Sequence, residues 1–212
     1  MVTSDLHLPL NIKQFYESLK DIEDVDYILL AGDIVDRNQH IYFKKLYDIL
    51  KNKFKDAEIY SVFGNNESIE YREIYKKEYF FMNWLDYSYV DLGKYYLFGF
   101  PGLPDRFWKR TIEDLKEEAK NRIKNVLDKI KDKDVIVLTH YGVIKETVLG
   151  DPGPEWSLYS KDIGNLILSY ENVRYIFHGH SHLSKNWKYK IGNKEIYNVC
   201  FYIHKKPLVF DL

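Results

Sequence analysis

Tyr27-Ile28-Leu29-Leu30-Ala31-Gly32-Asp33-Ile34-Val35-Asp36-Arg37 opens as an unbroken apolar run and closes on two acids and an arginine. Tyr27 to Ala31 suits a buried strand, short and continuously apolar. Gly32 lets the chain turn, and the charged residues follow in the loop. The same order recurs along the chain. Met1 to Ser4 precedes Asp5-Leu6-His7, and Ile59 to Phe63 precedes Gly64-Asn65-Asn66-Glu67. Val135 to Thr139 precedes His140-Tyr141-Gly142, and Val173 to Phe177 precedes Gly179-His180-Ser181-His182. Open α/β sheets bind ligands beyond the carboxyl ends of their strands, so these loops are expected to converge on one site.

Helical patterns separate the strands, which predicts an α/β fold in a single domain spanning residues 1–212. One helix is expected from Asn11 to Leu19, and another, capped by Asn38, carries Phe43, Leu46 and Leu50. A third runs from Tyr71 to Tyr79. Tyr87 to Leu92 and Tyr95 to Phe100 flank a Gly93-Lys94 hairpin turn. The longest helix, Thr111 to Lys131, aligns Ile112, Leu115, Ala119, Ile123, Val126, Leu127 and Ile130 on one face. The tail reads as all-β, with strands Trp187 to Ile191, Ile196 to Cys200 and Leu208 to Phe210. The first strand is either stunted or begins upstream.

The 212 residues are 45% hydrophobic and 30% charged with a net charge of −1, which describes a globular protein without a global basic field for nucleic acid. Charges on the long helix alternate in sign, as on a solvated face. Cys200 is the lone cysteine and reads as a small buried hydrophobe. No basic-then-apolar leader is visible and no apolar run reaches the roughly 20 residues of a membrane span, so a cytoplasmic protein is expected.

The ordered set of loops resembles the calcineurin-like metallophosphoesterase superfamily, whose pattern is Asp-x-His, Gly-Asp-x-x-Asp, Gly-Asn-His-Asp/Glu, His and Gly-His-x-His. The resemblance runs from Asp5 to His182. It implies a four-layer α-β-β-α sandwich of two mixed sheets flanked by helices, with metals at one edge. It further implies that Asp5, His7 and His182 hold one ion, that Asn65, His140 and His180 hold another, and that Asp33 bridges them. Mixed imidazole and oxygen donors suit divalent Mn, Fe, Co, Ni or Zn rather than Ca or Mg. With only Asp5 and Asp33 charged among these ligands, two divalent ions would leave about two positive charges in surplus, enough to attract a phosphate and acidify a bridging water. The expected reaction is hydrolysis of a phosphate mono- or diester by attack of a metal-bridging hydroxide.

Around that core the sequence departs from, or adds to, the pattern. Asn66 stands where many relatives carry the histidine that protonates the leaving oxygen, a role an amide cannot fill. Arg37 completes Gly-Asp-x-x-Asp-Arg, which looks like the motif of Ser/Thr protein phosphatases in which that arginine contacts phosphate; a surface ion pair is the alternative. Asp36 and Glu67 read as anchors behind the ligands. Gly32, Gly64 and Gly179 read as turn formers. His178 reads as a satisfied strand histidine, and His40 and His204 as structural or exposed. Loops Pro101 to Arg110 and Tyr141 to Ser160 carry Trp108 and Trp156, which could stack on a nucleotide-like substrate. A non-catalytic scaffold of the same fold would not need the full ligand set retained here, and a metal-dependent nuclease sits poorly with the near-neutral charge.

Overall fold

The computed structural model describes residues 1–37, 39–101 and 112–212. Three parallel strands, β1 (Val2–Thr3), β2 (Tyr27–Ala31) and β3 (Glu58–Val62), make one sheet in that order. The other sheet takes the order β4 (Ser88–Asp91), β5 (Tyr95–Phe100), β6 (Asp134–Thr139), β7 (Val173–His178), β9 (Lys194–Asn198), β8 (Lys188–Ile191). It is parallel through β5, β6, β7 and β9 and antiparallel at both edges. The helices are α1 (Ile12–Ser18), α2 (Tyr42–Lys53), α3 (Arg72–Glu78), α4 (Ile112–Leu127), α5 (Glu155–Leu158), α6 (Lys161–Leu168) and α7 (Phe201–His204).

Strand alternation generates the layers, because successive side chains leave opposite faces of a sheet. Ile28 and Leu30 of β2 pack with Phe15 of α1 and with Phe43, Leu46 and Leu50 of α2. Leu29 and Ala31, pointing the other way, meet Leu97, Ile136, Leu138 and Phe177 of the second sheet. β6 repeats the device: Ile136 and Leu138 face the first sheet, whereas Val135 and Val137 pack with Ala119, Ile123 and Leu127 of α4 and with Ile163 and Ile167 of α6. β2 and the Val135–Leu138 stretch of β6 are therefore continuously apolar, each buried side chain contributing about 1.5–3 kcal/mol. The result is helices, sheet, sheet, helices, as the fold class predicted.

The details differ in instructive places. β1 is only two residues long, and beyond it Ser4 bridges Cys200 while Val2 bridges Leu208. The tail is not all-β. Cys200 precedes the helical turn α7, and Leu208 makes only an isolated antiparallel bridge. α6 is a helix not expected from the sequence, and Gly164 lies on its buried face with Ile163 and Ile167. A Cβ there would stand 1.8 Å from the Val143 carbonyl oxygen, so only glycine lets this helix approach the strand-end loop. The expected cap Asn38, the helix residue Thr111 and the Trp108 loop lie outside the described residues. No helix among the described residues is long and apolar enough to cross a membrane.

Candidate metal centre

Five strand ends, those of β1, β2, β3, β6 and β7, deliver the side chains singled out in the sequence to one place. Asp5, His7 and His182 offer ligand atoms that all lie within 4.8 Å of one another, and so do Asp5, Asp33 and His140. Asp5 is common to both groups, and Asp33 reaches toward both sides, with Oδ1 3.5 Å from His140 Nε2 and Oδ2 3.8 Å from His7 Nε2. Asn65 Oδ1 is 3.0 Å from His140 Nε2, which in turn is 3.2 Å from His180 Nδ1.

The local backbone bends to achieve this. Asp5, His7, Asp33 and His180 have φ of 54°, 45°, 50° and 69°, in the left-handed region. That conformation costs a non-glycine residue about 1–2 kcal/mol, and its repetition at one site signals a geometry imposed by function. The glycines before the ligands divide into two kinds. Gly32 does turn the chain, with φ of 82°. Gly64 and Gly179 are instead required by close approach: a Cβ at Gly64 would lie 2.1 Å from Asp33 Oδ1, and one at Gly179 would lie 2.3 Å from Asp5 Oδ2. Reading these two as turn formers is thus corrected, since their absent side chains make room for the carboxylates.

Hydrogen bonds behind the cluster set the histidine tautomers. His140 Nδ1 donates to the Ala31 carbonyl at 2.9 Å, and His180 Nε2 donates to the Ser157 carbonyl at 3.0 Å. A carbonyl only accepts, so each ring carries its proton on the outward nitrogen and turns a lone pair inward. His140 Nε2, His180 Nδ1 and Asn65 Oδ1 consequently meet as acceptors with no hydrogen between them. His7 Nδ1 lies 2.9 Å from Asp36 Oδ1 and donates to it, leaving Nε2 free 3.4 Å from His182 Nε2. Two nitrogens held by one ion at about 2.0–2.1 Å stand about 3.0–3.4 Å apart, so both imidazole pairs have the spacing of shared ligands. The donor set fits divalent cations.

Charge points the same way. Asp5, Asp33 and Glu67 are all buried. Burial opposes ionisation of Asp5, but hydrogen bonds from His182 and Ser4 and the nearby imidazoles outweigh it and hold this carboxyl below the usual range. Burial, and then the charge of Asp5, push Asp33 up to about 6. Glu67 is pushed up to about 7 by burial and by Asp33, against the backbone N–H groups that it accepts. Burial lowers His140, while burial and His140 take His180 down to about 4, which keeps both imidazoles neutral and available as ligands. In the absence of a cation the carboxylates repel; a cation supplies the missing charge.

Glu67 joins two of the loops. Its Oε2 accepts from the N–H groups of Asp33 (2.9 Å) and Gly64 (2.6 Å), and its Oε1 accepts from Ile34 (2.7 Å) and Val35 (3.2 Å). Arg72 donates to the carbonyls of Glu67 and Gly64, at 3.1 and 3.2 Å. Asn66 turns toward Asp33, its N–H reaching Oδ1 at 2.8 Å and its side-chain amide reaching Oδ2 at 2.7 Å. Arg37 is exposed and forms no ion pair with any described residue. His178 is buried apart from the cluster, with Thr147 Oγ1 on one nitrogen and the Gly179 carbonyl on the other. His40 bonds the Tyr79 hydroxyl and His204 the Asn198 carbonyl, both in packing roles. Trp156 is 65% exposed on α5, one residue before the carbonyl that orients His180.

A family profile described as calcineurin-like phosphoesterase matches residues 1–184. The chain belongs to that family. As a calcineurin-like phosphoesterase it is a phosphoester hydrolase of a family that uses divalent metals, and its clustered side chains include candidate metal-ligand groups. Among solved structures, a phosphopantetheinyl hydrolase from Mycobacterium tuberculosis superposes with a TM-score of 0.67 at 14% identity, covering 94% of this chain and 87% of its own. A 5'-nucleotidase precursor from Thermus thermophilus superposes at 0.49 and 12% identity, covering 94% of this chain. A 5'-nucleotidase-type structure from Staphylococcus aureus superposes at 0.48 and 11% identity, covering 81% of this chain. This phosphoesterase spans only 47% and 39% of those two longer chains. No curated protein matches its sequence significantly.

Sequence reasoning overlooked the groups that hold the ligands from behind. The Ala31 and Ser157 carbonyls act through the backbone and leave no mark on residue type. Tyr202, whose ring lies against His182, is an ordinary aromatic in the sequence.

Proposed function

We propose that this phosphoesterase hydrolyses phosphate mono- or diesters at a pair of divalent transition-metal ions. Asp5, His7 and His182 would hold one ion, Asn65, His140 and His180 the other, with Asp33 between them. The observation that carries this reading is the convergence of three acceptors, His140 Nε2, His180 Nδ1 and Asn65 Oδ1, whose outward partners already occupy the ring protons. Asp33 supports it by directing one oxygen to each side.

Bound there, two divalent ions would supply the positive charge that draws in a phosphate and lowers the pKa of a water toward neutrality. The protein's own groups prepare the rest. Asp36 fixes the tautomer and plane of His7. Asn66 steadies Asp33 through its backbone N–H and its side-chain amide. Arg37, unpaired among the described residues, is free to fork two hydrogen bonds onto a phosphate. The decisive test is paired kinetics on nitrophenyl phosphate and bis(nitrophenyl) phosphate with Mn, Ni or Zn supplied. Metal-dependent turnover of either ester is expected; no turnover with any of these metals would defeat the proposal.

Asn66 makes the leaving group matter. Its amide can orient Asp33 or a phosphate oxygen but delivers no proton, so aryl esters with good leaving groups should turn over well and alkyl esters slowly. Asn66→His should raise alkyl-ester turnover on the order of 10²-fold while changing aryl-ester turnover little. An equal change for both ester classes would remove Asn66 from this role.

A further inference from the structure

Three of the four clustered histidines have their second ring nitrogen bound: His7 to Asp36, His140 to the Ala31 carbonyl and His180 to the Ser157 carbonyl. His182 is the exception. Its Nε2 faces Asp5 Oδ1 at 3.1 Å, and its other nitrogen has no hydrogen bond to any described residue. Its side chain is 34% exposed, against 11% for His7 and 0% for His140. What lies against it is Tyr202, with ring centroids 4.7 Å apart and planes within 5° of parallel. The same phenol ring meets the edge of His7 at 5.7 Å.

We infer that Tyr202 is a positioning residue for the Asp5, His7, His182 ion site, its flat ring doing by stacking what a hydrogen bond does for the other three histidines. This rests on the metal-centre reading proposed above. Tyr202 lies beyond residue 184, outside the stretch matched by the family profile. That segment is firmly placed. Phe201 N–H donates to the Ser4 carbonyl at 3.0 Å, and Phe201 is buried against Phe15 of α1. Asn198 accepts from Cys200 N–H at 3.1 Å while its amide donates to the Ser181 carbonyl at 2.8 Å, coupling α7 to the His180-Ser181-His182 turn. Lys205 Nζ, 5.1 Å from the centroid, covers the phenol ring as well. The tyrosine hydroxyl has no hydrogen bond to a described residue, which leaves the ring face as its working part. Stacked aromatic planes resist tilting, so Nε2 of His182 stays aimed beside Asp5.

The test is manganese binding by calorimetry and by electron paramagnetic resonance on the wild type, Tyr202→Ala and Tyr202→Phe. The wild type should take up two ions. Tyr202→Ala should weaken one of them by roughly 10–100-fold, the effect typical of losing a partner behind a ligand, and leave the other unchanged. Tyr202→Phe keeps the ring and should bind both ions like the wild type. Melting in EDTA separates a packing defect, since the manganese-induced rise in Tm should shrink in Tyr202→Ala by more than the EDTA Tm falls. If Tyr202→Ala fails to fold, Tyr202→Leu keeps apolar bulk without a flat ring and carries the same expectation. Unchanged binding of both ions in the ring-less variant, or equal loss in Tyr202→Phe, overturns the inference. A wild type that binds no ions overturns the metal centre itself, a distinct result.

Discussion

Replacing Asp33 by asparagine should lower metal-dependent ester hydrolysis by about 10³-fold while leaving the fold intact. Asparagine has the same shape and, with aspartate, is the residue type that best tolerates the left-handed φ of 50° at this position. The hydrogen bond from Asn66 N–H to Oδ1 survives the change, whereas the new amide must face the Asn66 side-chain amide across 2.7 Å or turn from it. That contact is worth about 1 kcal/mol. The lost charge matters far more, because a unit charge a few ångströms from a divalent ion is worth several kcal/mol even at an effective dielectric of about 20. The two effects have opposite signs without metal. Asp33 then sits beside Asp5 and Glu67 with its ionisation resisted, up to about 6. A neutral amide relieves that repulsion, so Asp33→Asn should melt at or above the wild type in EDTA and gain much less on adding manganese. Wild-type activity with two ions bound in Asp33→Asn would remove Asp33 from its bridging role.

The convergence of the candidate site was legible because groups able to hold a metal are particular residue types, and apolar runs ending in Asp, Asn or His are visible at once. β2, from Tyr27 to Ala31, coincides with the expected strand because a strand buried on both faces has no polar residue to blur its limits. Elements whose form depends on distant contacts were not legible. α6 is not among the expected helices, and Gly164 inside it is selected by the approach of the Val143 carbonyl. Cys200 reads as the end of a strand because Val199 and Cys200 are apolar, but the pairing of Cys200 is with Ser4, far away in sequence, and the chain then curls into α7. The same limit applies to Gly64 and Gly179, whose requirement comes from carboxylates on other loops.

Glu67 was placed by the sequence behind the ligands, and its geometry turns that into a stability prediction. Its two oxygens accept four backbone N–H groups, three from the loop after β2 and one from the loop after β3. An ionised or shared carboxylate can do this because both oxygens accept. Glutamine has the same length but only one accepting oxygen, so its NH₂ must face two N–H donors, either those of Asp33 and Gly64 or those of Ile34 and Val35. Each buried donor left unsatisfied costs about 1–3 kcal/mol, giving about 2–6 kcal/mol for the pair. One effect opposes it: the amide is neutral, and burial of the carboxylate is itself unfavourable, as the push up to about 7 indicates. The donors decide the sign, because these amides belong to backbone locked by Asp33 at positive φ and by Gly64, where a Cβ would already lie 2.1 Å from Asp33 Oδ1, and neither loop can retreat. Glu67→Gln should therefore lower Tm by roughly 5–15 °C for a chain of this length and reduce metal uptake in proportion, since the displaced amide of Asp33 carries the carboxylate with it. Thermal melts with and without manganese measure both. A Glu67→Gln protein that melts with the wild type and retains two ions would mean that this carboxylate does not hold the two loops together.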